Sequence, residues 1–65
     1  MNLKIRSKSG KNYYTTFAVN DLGQLAKTIV ENDWIYLRVL DEINRKAILK
    51  VDEIESFIEE DKQND

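Results

Sequence analysis

The sequence predicts a single small α+β domain in which a mainly antiparallel, twisted sheet packs against one amphipathic helix. Apolar and polar residues alternate near the start of the chain, apolar residues recur at helical spacing over 22–30, and two later runs are rich in strand-forming residues. The predicted order is β-β-α-β-β with a further short strand. A chain of 65 residues holds one domain, which we place at residues 1–60, followed by a polar, disordered tail at 61–65.

A β-hairpin is predicted first, because apolar and polar residues alternate on both sides of Gly10. A three-residue loop that ends at Gly10 uses the left-handed conformation that glycine adopts at low cost. With that loop, Ile5 lies opposite Tyr13, and Leu3 lies opposite Thr15. One face then carries Leu3, Ile5, Tyr13, Thr15 and Phe17, and the other carries Lys4, Arg6, Tyr14 and Thr16.

A helix is predicted to begin after Asp21 and to end at Asn32-Asp33. Asp21 is a good N-cap, and Gln24 follows it three residues later, as in a capping box. The apolar residues of this segment form one stripe at helical spacing: Leu22, Leu25, Ala26, Ile29 and Val30.

Two strands are predicted after the helix. Residues 34–40 are almost continuously apolar and rich in β-formers, which favours a strand in the centre of the sheet that is covered on both faces. Residues 41–45 are polar and turn the chain. Residues 46–51 then return as a partner strand.

The segment 52–60 fits two patterns. Ile54, Phe57 and Ile58 have helical spacing, whereas Ile54, Ser56 and Ile58 alternate as in a strand. We favour one helical turn at 52–54 that leads into a short strand at 55–59, with a helix as the alternative. In this order the last fifteen residues of the domain resemble the end of SH3-like and Sm-like small barrels, which implies a similar closure of the sheet and no particular function.

The composition leaves few routes to catalysis. The chain contains no histidine and no cysteine, so the commonest general base, thiol nucleophiles and thiolate metal sites are absent. Gly10 and Gly23 are the only glycines, and neither belongs to a phosphate-binding loop. We therefore predict a protein that is not an enzyme, with no cofactor, no metal, no small-molecule substrate and no membrane partner. The lack of cysteine favours the cytoplasm, and the abundance of Lys, Asn and Ile suggests a low-GC bacterium or its phage.

Charge is unevenly distributed along the chain. Residues 1–50 carry nine Lys/Arg and five Asp/Glu, net +4, and residues 51–65 carry one Lys and seven Asp/Glu, net −6. The basic part offers a candidate nucleic-acid site formed by Lys4, Arg6, Lys8, Lys11 and Tyr14, which sets cations beside an aromatic ring. The alternative is that these cations only protect an edge hairpin, or pair with Glu55 or Glu59 on the last strand.

The acidic part offers a candidate protein-binding edge formed by Glu53, Glu55, Glu59, Glu60 and Asp61. Solvated acids on the outside of a last strand or helix are the simpler interpretation. Because a domain of this size gains buried area by association, another copy of the chain is one candidate partner. We predict a non-catalytic protein-interaction module, an accessory or inhibitory protein that binds a protein partner or itself as a homo-oligomer. The alternative is a small nucleic-acid-binding regulator.

Overall fold

A computed structural model describes residues 1–60 of the chain. The elements in these residues are β1 (Asn2–Ser7), β2 (Asn12–Thr16), α1 (Leu22–Glu31), β3 (Tyr36–Leu40), β4 (Lys46–Lys50), a 3-10 turn (Val51–Glu53) and β5 (Ile54–Glu59). The strands form one antiparallel sheet in the order β4-β3-β2-β1-β5, which confirms the predicted α+β class. The tail expected at 61–65, and Asp61 with it, lies outside the described residues.

The first hairpin has the predicted register. Ile5 pairs with Tyr13, and Leu3 pairs with Thr15. The Ser7 backbone N–H donates to the Lys11 carbonyl at 2.9 Å, which closes a three-residue loop. Gly10 has a φ of 90° in this loop, a value that a side chain would disfavour.

The helix also has the predicted ends. The Asp21 carboxylate accepts a hydrogen bond from the Gln24 backbone N–H at 2.8 Å, and the Gln24 side-chain oxygen accepts one from the Asn20 N–H at 2.6 Å. These bonds use backbone donors at the start of the helix that have no partner within it. Asn32 is the C-cap, and Asp33 leaves the helix with a φ of 53°.

Only part of the predicted apolar stripe of α1 is buried. Leu25 is 1% exposed and Ile29 is half-buried, so these two residues attach the helix to the domain. Ala26 is exposed, as are Leu22 and Val30. The helix therefore buries a narrower stripe than its sequence pattern indicates.

The core lies on one face of the sheet and is centred on four buried residues, Ile5, Leu37, Val39 and Leu49. Half-buried side chains from the strands and loops pack around them, including Tyr13, Phe17, Trp34, Ala47, Val51, Ile54 and Phe57. Trp34 stacks on Phe17 with 5.6 Å between the ring centroids and 21° between the ring planes. This stack joins the loop after α1 to the end of the first hairpin.

The prediction of a central strand covered on both faces is wrong for β3. The strand begins at Tyr36 and lies between β2 and β4, with β2 in the middle of the sheet. Leu37 and Val39 point into the core, whereas Tyr36 is 60% exposed and Leu40 is 37% exposed. The run is almost continuously apolar because the outward set also contains apolar residues, Tyr36 and Leu40 on either side of Arg38, although residues 1–60 cover only the inward set.

The last segment is a turn and a strand, so the helical alternative for 52–60 is wrong. The turn starts at Val51, one residue before its predicted position, and β5 pairs with β1 so that Phe57 lies opposite Ile5. The arrangement of strand, helical turn and final strand that carried the small-barrel resemblance is therefore present.

Candidate functional site

The face of the sheet that lies away from the core is the candidate site, and we call it the outer face. It is formed by every second residue of each strand, as the strand registers and the burial pattern show. From β4 to β5 its residues are Lys46, Ile48 and Lys50, then Tyr36, Arg38 and Leu40, then Asn12, Tyr14 and Thr16, then Asn2, Lys4 and Arg6, then Ser56 and Ile58.

One row of side chains crosses the outer face from edge to edge. Following the strand pairings, the row consists of Ile58, Lys4, Tyr14, Leu40 and Lys46. Neighbouring strands lie about 4.8 Å apart, so a row over five strands is about 19 Å long. Apolar and cationic side chains therefore sit side by side along this row.

Large apolar side chains are exposed on this face. Ile48 is 69% exposed, Tyr36 is 60% exposed and Ile58 is 41% exposed. Ile48 lies directly opposite Arg38, and Leu40 lies directly opposite Tyr14. Ile48 and Ile58 lie on opposite edge strands and each faces a cation, so exposed apolar groups are spread over the whole face.

A groove of about 970 Å³ lies where β2 and β3 separate, and residues of both faces line it, including Leu3, Thr15, Val39 and Ala47 from the core face. Tyr14 and Leu40 are the one register pair between these strands in residues 1–60, and beyond it the Thr15 hydroxyl donates to the Arg38 carbonyl at 3.1 Å. Outer-face residues that line the groove are Asn2, Tyr14, Thr16, Arg38, Leu40, Lys46 and Ile48, and Glu60 lines it as well.

The cations of the outer face make no ion pair with residues 1–60. The ion pairs in this part of the chain join Lys27 to Glu31 at 4.0 Å and Arg45 to Asp41 at 2.8 Å. The five outer-face cations are outside both pairs: Lys4, Arg6, Arg38, Lys46 and Lys50.

The expected pairing of the N-terminal cations with acids of the last strand is not observed. Lys4 lies opposite Ile58, and Arg6 lies opposite Ser56. Glu59 lies opposite the buried Leu3, so its position alternates with that of Ile58 along the strand. Neither Lys4 nor Arg6 therefore has an acid of β5 as its cross-strand neighbour.

The predicted nucleic-acid residues are only partly brought together. Lys4 and Tyr14 are direct cross-strand neighbours, and Arg6 lies two residues further along β1 on the same face. Lys8 and Lys11 are exposed in the hairpin loop, where the Lys8 N–H donates to the Glu53 carbonyl at 2.8 Å. The loop cations thus lie at one end of the face.

The described residues of the predicted acidic edge are all exposed, but they do not share one face. Glu53 belongs to the 3-10 turn, whereas Glu55 and Glu59 belong to β5. Glu60 follows β5 and donates its N–H to the Asn2 carbonyl at 2.9 Å, at one end of the groove. These carboxylates are therefore distributed around the edge of the sheet.

Sequence reasoning missed the part of the surface that β3 and β4 contribute, including Arg38, Lys46, Ile48 and Lys50. Their signal was the strand period of two, since Arg38 interrupts an apolar run and Ile48 lies midway between two lysines. A charged residue within such a run marks the face that the core leaves uncovered.

No three carboxylates among residues 1–60 come together as metal ligands would. The hydrogen bond from the Arg45 backbone N–H lowers the pKa of the Asp41 carboxyl; desolvation opposes it, and smaller contributions from the Arg45 side chain and the Ile43 N–H add to the lowering. Asp41 thus organises the turn between β3 and β4.

Comparisons with known proteins give no match: no family model, no curated protein and no solved structure is significantly similar to this chain. The single helix of residues 1–60 is too short and too polar to cross a membrane.

Proposed function

We propose that this protein is a non-catalytic interaction module that binds a protein partner through the outer face. The observation that supports the proposal is the row of Ile58, Lys4, Tyr14, Leu40 and Lys46, which places two cations beside the exposed Ile58 and Leu40 and the half-buried Tyr14 across the whole sheet. From the composition of the chain, we place the protein in the cytoplasm of a low-GC bacterium or its phage, in an accessory or inhibitory role.

The make-up of the outer face supports a protein partner. Tyr36 and Arg38 are of the residue types that are enriched at protein interfaces, and they lie beside the exposed Ile48 and Leu40. Binding to a phosphate backbone depends on cations. The exposed aliphatic side chains of Leu40, Ile48 and Ile58 would not contribute to it. Burying them is the main source of affinity that this face offers.

The charges of the outer face constrain the partner. Two copies that met through this face would bring five cations from each against five from the other, and like-charge contacts across an interface are strongly unfavourable. The partner surface therefore carries acidic side chains. A homo-oligomer must use different surfaces of the two copies.

A photo-crosslinking experiment tests the proposal. A benzophenone amino acid is placed at position 48 on the outer face, and as a matched control at position 27, an exposed site on α1. In cells that make the protein, we expect one discrete adduct from position 48 that is sensitive to protease, resistant to nuclease and lost when Arg38→Glu is added. Equal adduct yields from the two positions, or an adduct that nuclease destroys, would overturn the proposal.

A nucleic-acid-binding regulator is the second candidate, because Lys4 and Tyr14 are cross-strand neighbours with Arg6 on the same face. If the five outer-face cations each contacted a phosphate of a single strand, log K would fall with log salt concentration with a slope of about −3.5. Binding of a mixed-sequence oligonucleotide is measured by fluorescence anisotropy at two salt concentrations, with the Lys4→Glu plus Arg6→Glu variant and with Lys27→Glu as the control. The absence of binding at low salt excludes this candidate.

A further inference from the structure

The open edge of β4 presents both backbone groups and side chains to a partner. β4 is the last strand on its side of the sheet. The Val51 N–H donates to the Ile35 carbonyl at 2.8 Å, and the Asp41 N–H donates to the Arg45 carbonyl at 2.9 Å. Because hydrogen-bonded pairs alternate in an antiparallel ladder, these bonds determine which residues of β4 bond to β3.

The alternation assigns Ala47 and Leu49 to the bonds with β3. Lys46, Ile48 and Lys50 then direct their backbone N–H and carbonyl groups toward the open edge. The side chains of the same three residues lie on the outer face. A strand that added to this edge would gain backbone hydrogen bonds and side-chain contacts at the same positions.

We propose that the occupant of this edge is an extended acidic segment of a protein partner, which adds to β4 as a sixth strand. Its pattern is an apolar residue flanked at two residues on either side by carboxylates, because every second residue of an added strand shares a face. The apolar residue lies beside Ile48, and the carboxylates lie beside Lys46 and Lys50. The inference rests on the proposed function and names the chemistry of its partner.

The charges of Lys46 and Lys50 and the exposure of Ile48 support an acidic segment as the occupant of this edge. Lys46 and Lys50 lie four residues apart, about 14 Å along the strand, and neither is in an ion pair with residues 1–60. Lysines on an edge strand are a common protection against unwanted pairing. An edge that only repelled other strands would not expose 69% of an isoleucine midway between its lysines.

The proposed pattern of one apolar residue between two carboxylates fits the edge of β4 in either strand direction. Carboxylates on both sides of the apolar residue meet the two lysines whether the segment runs parallel or antiparallel to β4. A negatively charged polymer without a peptide backbone can pair with Lys46 and Lys50. It cannot form the regular backbone hydrogen bonds that an added strand makes with Ile48. Strand addition and simple charge attraction therefore predict different behaviour of the backbone amides.

The test uses a synthetic seven-residue peptide with glutamate at the second and sixth positions, valine at the fourth and threonine elsewhere. It is titrated into the isotope-labelled protein, and amide exchange is followed by NMR. We expect slower exchange at Lys46, Ile48 and Lys50, with little change at Ala47 and Leu49. A peptide of the same composition with adjacent glutamates, and one N-methylated at valine, are the controls, each expected to bind about tenfold more weakly.

Variants of the protein complete the test. Lys46→Glu plus Lys50→Glu is expected to weaken binding about tenfold, whereas Lys27→Glu on α1 leaves it unchanged. Binding without slower exchange at the β4 edge would overturn strand addition, as would equal binding of the N-methylated peptide. Two further results would also overturn the proposal. One is slow exchange of these amides in the free protein because of self-association, and the other is protection of the same amides by an oligonucleotide instead of the peptide. Because Ile48 belongs to both the edge and the outer face, the two proposals are separated by the crosslink that Arg38→Glu abolishes: that crosslink without slower exchange at the β4 edge rejects strand addition alone, and its absence rejects the proposed function.

Discussion

Tyr14 and Leu40 form the one register pair that joins β2 to β3 within residues 1–60. Each of the other three neighbouring pairs of strands is joined by five register pairs. β2 and β3 therefore share the fewest paired residues of any two neighbouring strands in the sheet. The groove lies at this junction. The Thr15 hydroxyl adds a second link there through its hydrogen bond to the Arg38 carbonyl.

Replacement of Thr15 by valine tests that second link. Thr15→Val keeps the branched shape and removes the hydroxyl, so we expect a loss of about 1 kcal/mol in the free energy of unfolding. Urea denaturation measures the loss, and amide exchange in native protein is expected to accelerate in β3 more than in β1. Unchanged exchange in β3 would show that Tyr14 and Leu40 hold this junction alone.

The cap of α1 makes a second prediction. Asp21→Ala removes the acceptor of the Gln24 N–H bond, and we expect it to lower the free energy of unfolding by about 1 kcal/mol. Asp21→Asn keeps an acceptor oxygen and is expected to lose much less. Thermal unfolding followed by circular dichroism compares the two variants. An equal loss for both would mean that the charge near the helix N-terminus matters more than the hydrogen bond.

The elements of the fold followed closely from the sequence where a local signal was present. Gly10 identified the hairpin loop and its register, and Asp21 with Gln24 identified the start of the helix. Those signals are local because each depends on a turn or a cap within a few residues. The exposure of β3 had a weaker signal, the single charged residue Arg38, because the apolar residues of the run do not themselves show which of the two faces another part of the chain will cover.

The candidate site was predicted only in part for the same reason. Lys4 and Tyr14 belong to one hairpin, so the period of two placed them together. Leu40 and Lys46 joined them only through the sheet order β4-β3-β2-β1-β5, which depends on pairings between distant segments. A surface assembled from several strands is therefore recognised from topology rather than from composition.

The hairpin loop gives a third prediction. A methyl group on Gly10 would meet no atom within 4 Å, so any effect of Gly10→Ala comes from its φ of 90° rather than from packing. We expect a loss of about 1 kcal/mol in the free energy of unfolding, because side chains disfavour this region. Gly10→Asn is the matched control and is expected to lose less, since asparagine tolerates positive φ. Chemical denaturation is the measurement, and equal stability of wild type and Gly10→Ala would contradict the assignment.

Neighbouring residues of β4 give a fourth prediction. Ile48 is 69% exposed and Leu49 is 7% exposed, so the same kind of substitution should have very different effects. We expect Ile48→Thr to change the free energy of unfolding by about 0.5 kcal/mol or less, and Leu49→Ala to lower it by about 3 kcal/mol. Equilibrium denaturation measures both. A large loss for Ile48→Thr would show that this side chain supports the fold and would weaken its assignment to an interaction surface.

The turn between β3 and β4 gives a fifth prediction, which concerns pH. Hydrogen bonds from the Arg45 backbone N–H, the Arg45 side chain and the Ile43 N–H lower the pKa of Asp41 in the folded protein. A group whose folded-state pKa is lowered stabilises the fold above its unfolded-state pKa, near 4, and that contribution is lost as the pH falls through the folded-state value. We therefore expect Asp41→Asn to be less stable than wild type at pH 7, and the difference to shrink toward pH 2. Denaturation midpoints at pH 7, 5, 3 and 2 test this, with Glu42→Gln as a neighbouring control. A difference between wild type and Asp41→Asn that stayed constant over this range would mean that the ionised carboxylate is not what stabilises the turn.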